Sequence, residues 1–532
     1  MITGGTSLCL SKWLSSALIG DLVYVRRGGH YFKVSTSKQS GTRFVSSLNN
    51  ILETCNIHIH HILMASTVES GVSIASSFEH DSKDLKGRPM NMNRKQRLEE
   101  VLRRLGKRKL IWFGLRGADA RVLLQVPQFS EIFSITAPFE GASMISEVCL
   151  ETLEKRRVDL HSHRLDLDVS PGARELHRRL FTALGEPATV LTYRPDSSFT
   201  SACFPRFEFV EYLGLFHERH APFEYKPWVE TELKKLGVRT IPWRYYSEYD
   251  FPQVAHFLEH GPVVFRSSRS DGGEGLALVR QPGDIDISGQ LRQDGFLAVA
   301  PYLEPCIPVN VNACVFQDGL VSLHGPSVQL IGVPLCTTHA LGYCGNDFAQ
   351  IRNLESGILD AFEAMAVRVG NWLAHMGYLG AFGIDAVVYE GEVYLTEINP
   401  RFQNSSVIAT EIDGELGRPD MFLNHMAAFF GMDSPPLMPL RELARCQRSI
   451  SQIICYNRWP QAVFRSNEKV PEQQGDVDCT SLPAMDIAVV PGGMLFRAVI
   501  QDSVTTDGNT LTEEYEVQLQ DLIRCLFPPS FL

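Results

Sequence analysis

The 12 cysteines nowhere form a C-x-x-C pair, so neither a zinc ribbon nor a dense disulfide framework is expected. An excess of positive charge is also missing. Lys and Arg total 50 against 61 Asp and Glu, a formal net charge of −11, which argues against a general polynucleotide binder while leaving room for a local basic pocket that holds a nucleotide. Long hydrophobic runs are absent too. The stretch from Leu8 to Val25 is broken by Lys12 and Asp21 and has no basic segment before it. Neither a secretory leader nor a transmembrane helix is expected there, and a cytoplasmic location with reduced thiols is. The first strand-like run, LIWFG at Leu110 to Gly114, is not followed by G-x-G-x-x-G, so it does not mark a dinucleotide site.

What remains is the composition of an ordinary globular chain: 532 residues, 44% hydrophobic and 21% charged, enough for three or four domains. Residues 1–107 carry strand-like pieces at Asp21 to Arg26 and His30 to Val34. A polar tract from Ser76 to Arg94, containing Gly87-Arg88-Pro89, then suggests a linker. The alternating His58, His60 and His61 read as a half-buried strand rather than as metal ligands. A basic amphipathic helix is predicted over Asn93 to Arg108, with Leu98, Val101, Leu102 and Leu105 on one face and Gly106 as its stop. Residues 108–215 open with a β-turn-α unit at Leu110 and carry His161 and His163 in a polar, arginine-rich stretch that reads as loop. After Phe430, Pro435, Pro436 and Pro439 mark a boundary. A smaller segment, 436–532, follows with strand-like runs and a last helix.

The densest signal lies at GYLGAFGIDAVVYEGEVYLTEINPRFQNSS, from Gly377 to Ser406. Two runs rich in β-branched and aromatic residues, Ile384 to Tyr389 and Val393 to Ile398, flank Glu390-Gly391-Glu392 and predict a hairpin. If those three residues form the loop, Asp385 falls opposite Glu397, and Asn399 lies one pleat further along the same face. Two carboxylates and an amide oxygen then converge, the kind of oxygen set that magnesium takes alongside substrate phosphates.

At these residues the chain resembles the ATP-grasp superfamily, in which an Asp strand is followed by an E-x-N-x-R strand. The resemblance implies an α/β fold: a Rossmann-like pre-ATP-grasp domain at 108–215, a two-lobed ATP-grasp core at 216–435 (lobes about 216–298 and 299–435), and a small carboxy-terminal cap domain at 436–532. It implies ATP and Mg2+ as cofactors, with Asp385, Glu397 and Asn399 on the metal and Arg401 beside the reacting group. Lys226, which opens a helix-glycine-strand-proline motif running to Pro242, would reach the α- and β-phosphates. Arg266 stands where the family usually has lysine and would share that work and assist catalysis. The small-residue loop that follows, with Ser267, Ser268, Gly272, Gly273 and Gly275, would fold over the phosphates. Pro301, Tyr302 and Leu303 would meet the adenine. The family's acidic residue near Ala300 is missing. Asn310 and Asn312 alternate toward one face, either the cleft or solvent; His324 reads first as a structural histidine and second as a base near the acceptor; and Trp459 and Arg497 are candidates for the face the cap turns to substrate.

By the same likeness the expected activity is ATP-dependent joining of a small carboxylate donor to an amine acceptor, as in the amino-acid and peptide ligases of specialised metabolism. No nucleic-acid or membrane partner is implied, and a homodimer is allowed. A carboxylase-type enzyme and a non-catalytic nucleotide-binding regulator are the alternatives.

Overall fold

A computed structural model describes residues 92–528 except 141–143, 159, 161–169, 196, 248–250, 270–274, 285–294 and 467–476, and, nearer the amino terminus, three strands. Those strands, Leu18–Ile19, Leu22–Arg27 and His30–Ser35, pair antiparallel in a sheet of their own. They belong to a compact unit of residues 1–87, separate from the unit of residues 88–532. The histidines at 58, 60, 61, 161 and 163 lie outside the described residues.

In the larger unit the predicted amphipathic helix spans Arg94–Leu105. Asn93 caps it by accepting from the Gln96 N–H at 2.9 Å while the Gln96 side chain accepts from the Asn93 N–H at 3.1 Å. Next comes a five-stranded parallel sheet, in spatial order Ser146–Cys149, Phe129–Thr136, Lys109–Arg116, Ala188–Thr192, Val210–Leu213. Its central strand is apolar on both faces, as a sheet covered on both sides requires. Ile111 and Phe113 pack on Leu176 and Leu180 of the helix Pro171–Ala183. Leu110 and Trp112 point the other way, into a core shared with Val101, Phe402, Phe422 and Met426. That shared core fixes the parallel sheet against the part of the chain that builds the large sheet.

Two further sheets follow. A small antiparallel sheet orders Arg244–Tyr246, Leu297–Pro301, Val263–Arg266 and Leu276–Val279 around a core of Val263, Phe265, Val279, Leu297 and Val299. The extended residues after the helix Lys226–Lys235 were expected to be a strand. They make only one bridge, Thr240 to Leu395, the Ile241 N–H donating to the Leu395 carbonyl and the Leu395 N–H to the Arg239 carbonyl, after which Pro242 has no N–H to extend the ladder. The large sheet runs from Glu392–Asn399 through Gly380–Tyr389, Ile307–Val315, Ser327–Ile331 and Tyr343–Asp347. It continues through Ser451–Tyr456 and Met494–Ile500 to Val477–Thr480. The helix Ser356–His375 covers it with Phe362, Met365, Val369 and Leu373.

The segment read as a separate cap therefore pairs edge to edge with the core, Gly345 to Asp347 lying against Ser451 to Ile453. It also touches the first domain. Ala488–Val489 pairs with Arg156–Arg157, and the buried Arg157 guanidinium donates to the Ser481 and Met494 carbonyls at 2.7 and 3.0 Å.

Candidate active site

Glu390 and Gly391, both at positive φ (50° and 75°), form a two-residue turn rather than the three-residue loop expected from sequence. Taken alone, that turn would slide the register by one and set Asp385 against Thr396. A bulge restores it. Between Ala386↔Leu395 and Asp385↔Glu397 the second strand carries one extra residue, Thr396, so Asp385 faces Glu397 and Gly383 faces Asn399.

Three amide donors converge on the Asp385 carboxylate. Asn310 Nδ2 donates to Oδ1 at 2.6 Å, Gln403 Nε2 to Oδ1 at 3.2 Å, and Asn399 Nδ2 to Oδ2 at 2.8 Å. Gln403 approaches so closely because residue 383 is glycine: a Cβ there would lie 1.8 Å from Gln403 Oε1. These amides stabilise the ionised form, yet burial and the charge of Glu397 outweigh them and push the Asp385 carboxyl up to about 7. The pair is short of positive charge. Lys226 Nζ, 2.9 Å from Glu397 Oε2, supplies part of it.

The acidic hairpin lines a cleft between the two antiparallel sheets and the first domain. Its cavity, about 240 Å³, is an order of magnitude above the ~15 Å³ that a single water needs. Lys226, Arg266, Asp385, Glu397, Asn399 and Arg401 all line it, as do Pro301, Tyr302 and Leu303. Arg266 is clamped from behind. Its Nη1 lies 2.5 Å from Glu230 Oε1 and its guanidinium 4.0 Å from the Trp243 ring centroid, while its nitrogens make no well-aligned hydrogen bond to protein. This cradle accounts for arginine in place of lysine: a flat cation stacks on the indole and keeps donors for an incoming anion.

The loop and hinge residues divide. The Ser267 hydroxyl is engaged within its own loop, donating to the Arg269 carbonyl at 3.0 Å. Ser268 is buried with its hydroxyl unpartnered, and its carbonyl accepts from the Lys226 N–H at 3.2 Å. Gly275 ends the loop at φ 73°, whereas Gly272 and Gly273 lie outside the described residues. Tyr302 gives its N–H to the Pro262 carbonyl at 2.9 Å and Pro301 has none, which leaves Leu303 as the hinge N–H with no protein acceptor among the described residues.

Arg401 Nη1 donates to the Phe402 carbonyl at 3.1 Å and lies 3.5 Å from the Tyr193 hydroxyl. His324 does not line the cleft. It is fully buried between Ser322 Oγ (3.1 Å) and Asp413 Oδ2 (2.5 Å), with Arg418 completing the network at 3.1 Å from Asp413 Oδ1. A role as base at the acceptor is corrected to one in packing. Arg116 and Tyr193, which the sequence did not single out as site residues, line the cleft, and Arg497 stands behind it.

A parallel domain joined to two antiparallel lobes that enclose an Asp…Glu-x-Asn-x-Arg hairpin is the arrangement of the ATP-grasp fold. The solved structures agree. The biotin carboxylase domain of Hydrogenobacter thermophilus 2-oxoglutarate carboxylase matches with TM-score 0.52 at 14% identity over 74% of this chain and 86% of that one. The Campylobacter jejuni biotin carboxylase matches with TM-score 0.52 at 15% identity over 75% and 89%. The L-amino acid ligase of Bacillus licheniformis matches with TM-score 0.50 at 14% identity over 79% and 98%. By sequence, the formate-dependent phosphoribosylglycinamide formyltransferases of Vibrio vulnificus and Nitratidesulfovibrio vulgaris are each 26% identical over 228 and 221 residues, 42% and 40% of this chain. The chain spans about half the length of these relatives (53% and 51%). No protein-family model matches it.

Proposed function

We propose that the chain is an ATP- and magnesium-dependent carboxylate–amine ligase that forms an amide through an acylphosphate, releasing ADP and phosphate. The observation that carries this is the Asp385–Glu397 pair with the Asn399 amide beside it. Two facing carboxylates on the wall of a ligand-sized cleft, one of them pushed toward its protonated form by burial and by the charge of the other, form an oxygen set of the kind magnesium takes beside phosphates. Asp385, Glu397 and Asn399 would hold magnesium, which would offset phosphate charge. Lys226, beside Glu397, would reach the non-reacting phosphates. Arg266, clamped from behind by Glu230, would add its charge to the same oxygens, and Leu303 would offer its N–H to the base.

Chemistry then needs little from side chains beyond position and charge. An oxygen of the donor carboxylate bonds to the γ-phosphorus as the bond to the ADP oxygen breaks. The amine adds to the acyl carbon beside Arg401, whose guanidinium stabilises the oxyanion. The amine loses a proton to solvent, and the acyl–phosphate bond breaks to release phosphate. The setting in specialised metabolism rests on the resemblance to peptide ligases alone.

The test is ADP release screened over donor and amine pairs, with hydroxylamine in place of the amine: a hydroxamate is expected. Accumulation of AMP without hydroxamate refutes the proposal. The likeness to biotin carboxylases favours a second reading, activation of bicarbonate, and ADP release that requires bicarbonate rather than an organic donor would install it.

A further inference from the structure

Beyond the metal hairpin, the cleft has a second charged wall with no assigned partner. Arg116 ends the central strand Lys109–Arg116 of the parallel sheet, and Tyr193 is the first residue past its neighbour Ala188–Thr192. From the central strand the chain steps to one side through Phe129–Thr136 and Ser146–Cys149. It then returns to the other side through Ala188–Thr192 and Val210–Leu213. Arg116 and Tyr193 thus flank the point where strand order reverses, at the carboxyl ends of the strands, where open parallel sheets leave a crevice for ligands.

The electrostatics of this crevice are unbalanced. Arg116 is 3% exposed and lines the cleft, and its Nε and Nη1 have no hydrogen-bond partner. The nearest carboxylate oxygen, Asp119 Oδ2, is 3.6 Å from Nη1, too far for a hydrogen bond. Asp119 is committed elsewhere, accepting from Arg497 Nη1 at 2.6 Å. Two buried guanidinium groups therefore share one carboxylate, leaving one positive charge over. Arg401 approaches from the other side, its guanidinium carbon 5.8 Å from the Tyr193 ring centroid. Leaving Nε and Nη1 of Arg116 buried and unpaired is costly, and an anion beside them removes the cost.

We infer that Arg116, with Tyr193, forms a recognition site for a carboxylate of the substrate other than the one that is activated. A carboxylate fits better than a phosphate. The surplus is a single charge, the arginine fork matches a planar anion, and the tyrosine rings of Tyr193 and Tyr343 border the crevice. The inference rests on the ligase reading and names its substrate class as acids bearing a second, unreacted carboxylate. Arg497 is a positioning residue, acting on Arg116 through Asp119.

The experiment follows the unfolding midpoint of the full chain with Mg-ATP. The probes are dicarboxylic acids, L-aspartate and L-glutamate among them, each beside its mono-amide, and inorganic phosphate. At least one free acid should raise the midpoint of the wild type more than its amide does. Arg116→Gln should shift the half-saturating concentration of that acid upward by about 10- to 100-fold. Tyr193→Phe should shift it less, and both variants should keep the rise produced by Mg-ATP alone. Should Arg116→Gln not fold, Arg116→Lys takes its place, with a smaller shift in the same direction. Three results overturn the inference: equal response to acid and amide, an acid response unchanged in the Arg116 and Tyr193 variants, or no acid response at all. A phosphate response that depends on Arg116 overturns it in favour of a phosphorylated substrate. Failure of Mg-ATP to raise the wild-type midpoint would instead count against the ligase reading itself.

Discussion

Asp385→Asn makes the ligand-free protein more stable at pH 8 than the wild type, and the advantage shrinks at pH 5. In the fold the carboxyl is pushed up to about 7 by burial and by Glu397, whereas in the unfolded chain it titrates near its ordinary value of about 3.9. Between those values the folded state holds more protons, so its stability falls as pH rises toward 7 and then levels off. The interval from pH 5 to about 7 spans two units, each worth ~1.4 kcal/mol, so the wild type loses ~2.7 kcal/mol that the amide variant keeps. The new amide faces donors from Asn310, Gln403 and Asn399. Turning one of them round costs ~1 kcal/mol, but that cost is independent of pH and drops out of the comparison. Thermal unfolding of both proteins at pH 5 and pH 8, without and with Mg-ATP, measures the effect. The gap should widen by roughly 3–5 °C toward pH 8, and Mg-ATP should raise the midpoint of the wild type only. Parallel pH profiles for the two proteins would show that the pair is not strained, and the argument for a cation at this hairpin would fall with it.

Glu397→Ala and Asn399→Ala should cut turnover by about a thousandfold or more, through loss of metal oxygens, with the unfolding midpoint within about 2 °C of wild type; full turnover in either dismisses the metal assignment. Lys226→Ala should raise the Michaelis constant for ATP, whereas Arg401→Ala should lower kcat, since one is placed on non-reacting phosphates and the other at the acyl carbon. Steady-state kinetics of the pair would reveal an exchange of roles. His324→Ala should lose about 3 kcal/mol of stability, because Asp413 is left buried with one partner fewer. Its kcat at a permissive temperature should equal that of the wild type, and a selective fall in kcat would return His324 to the chemistry.

The hairpin was legible because its signal is local: alternating apolar residues, a glycine turn and an ordered D…E-x-N-x-R set all lie within twenty residues. Even so, the register came out right through two compensating features, a shorter turn and the Thr396 bulge. Nothing in the sequence marks a bulge at a threonine between leucine and glutamate. The period of two set Asn310 and Asn312 on one face but did not say which way that face turns. That Asn310 bonds Asp385 depends on strand pairing across 75 residues. Arg116, Asp119 and Arg497 form one cluster from positions 378 residues apart, and no spacing rule connects them. His324 was open to two readings because an apolar-flanked histidine looks the same whether it faces a cleft or a buried aspartate, and only the fold brings Asp413 to it. The continuity of the large sheet past the prolines was hidden for a related reason. Prolines break helices wherever they occur, but whether the next strand starts a new sheet or joins an old one is decided by tertiary pairing.

The unbroken large sheet has a consequence for where such a chain can be divided. Strand Ser451–Tyr456 is paired to Tyr343–Asp347, and Arg497, two strands beyond the hairpin's half of the sheet, supports Asp119 in the first domain. A chimaera spliced at residue 436 would sever a ladder of main-chain bonds and strip the buried aspartate of its partner. The place where the primary sequence marks a seam thus lies inside a single continuous lamina.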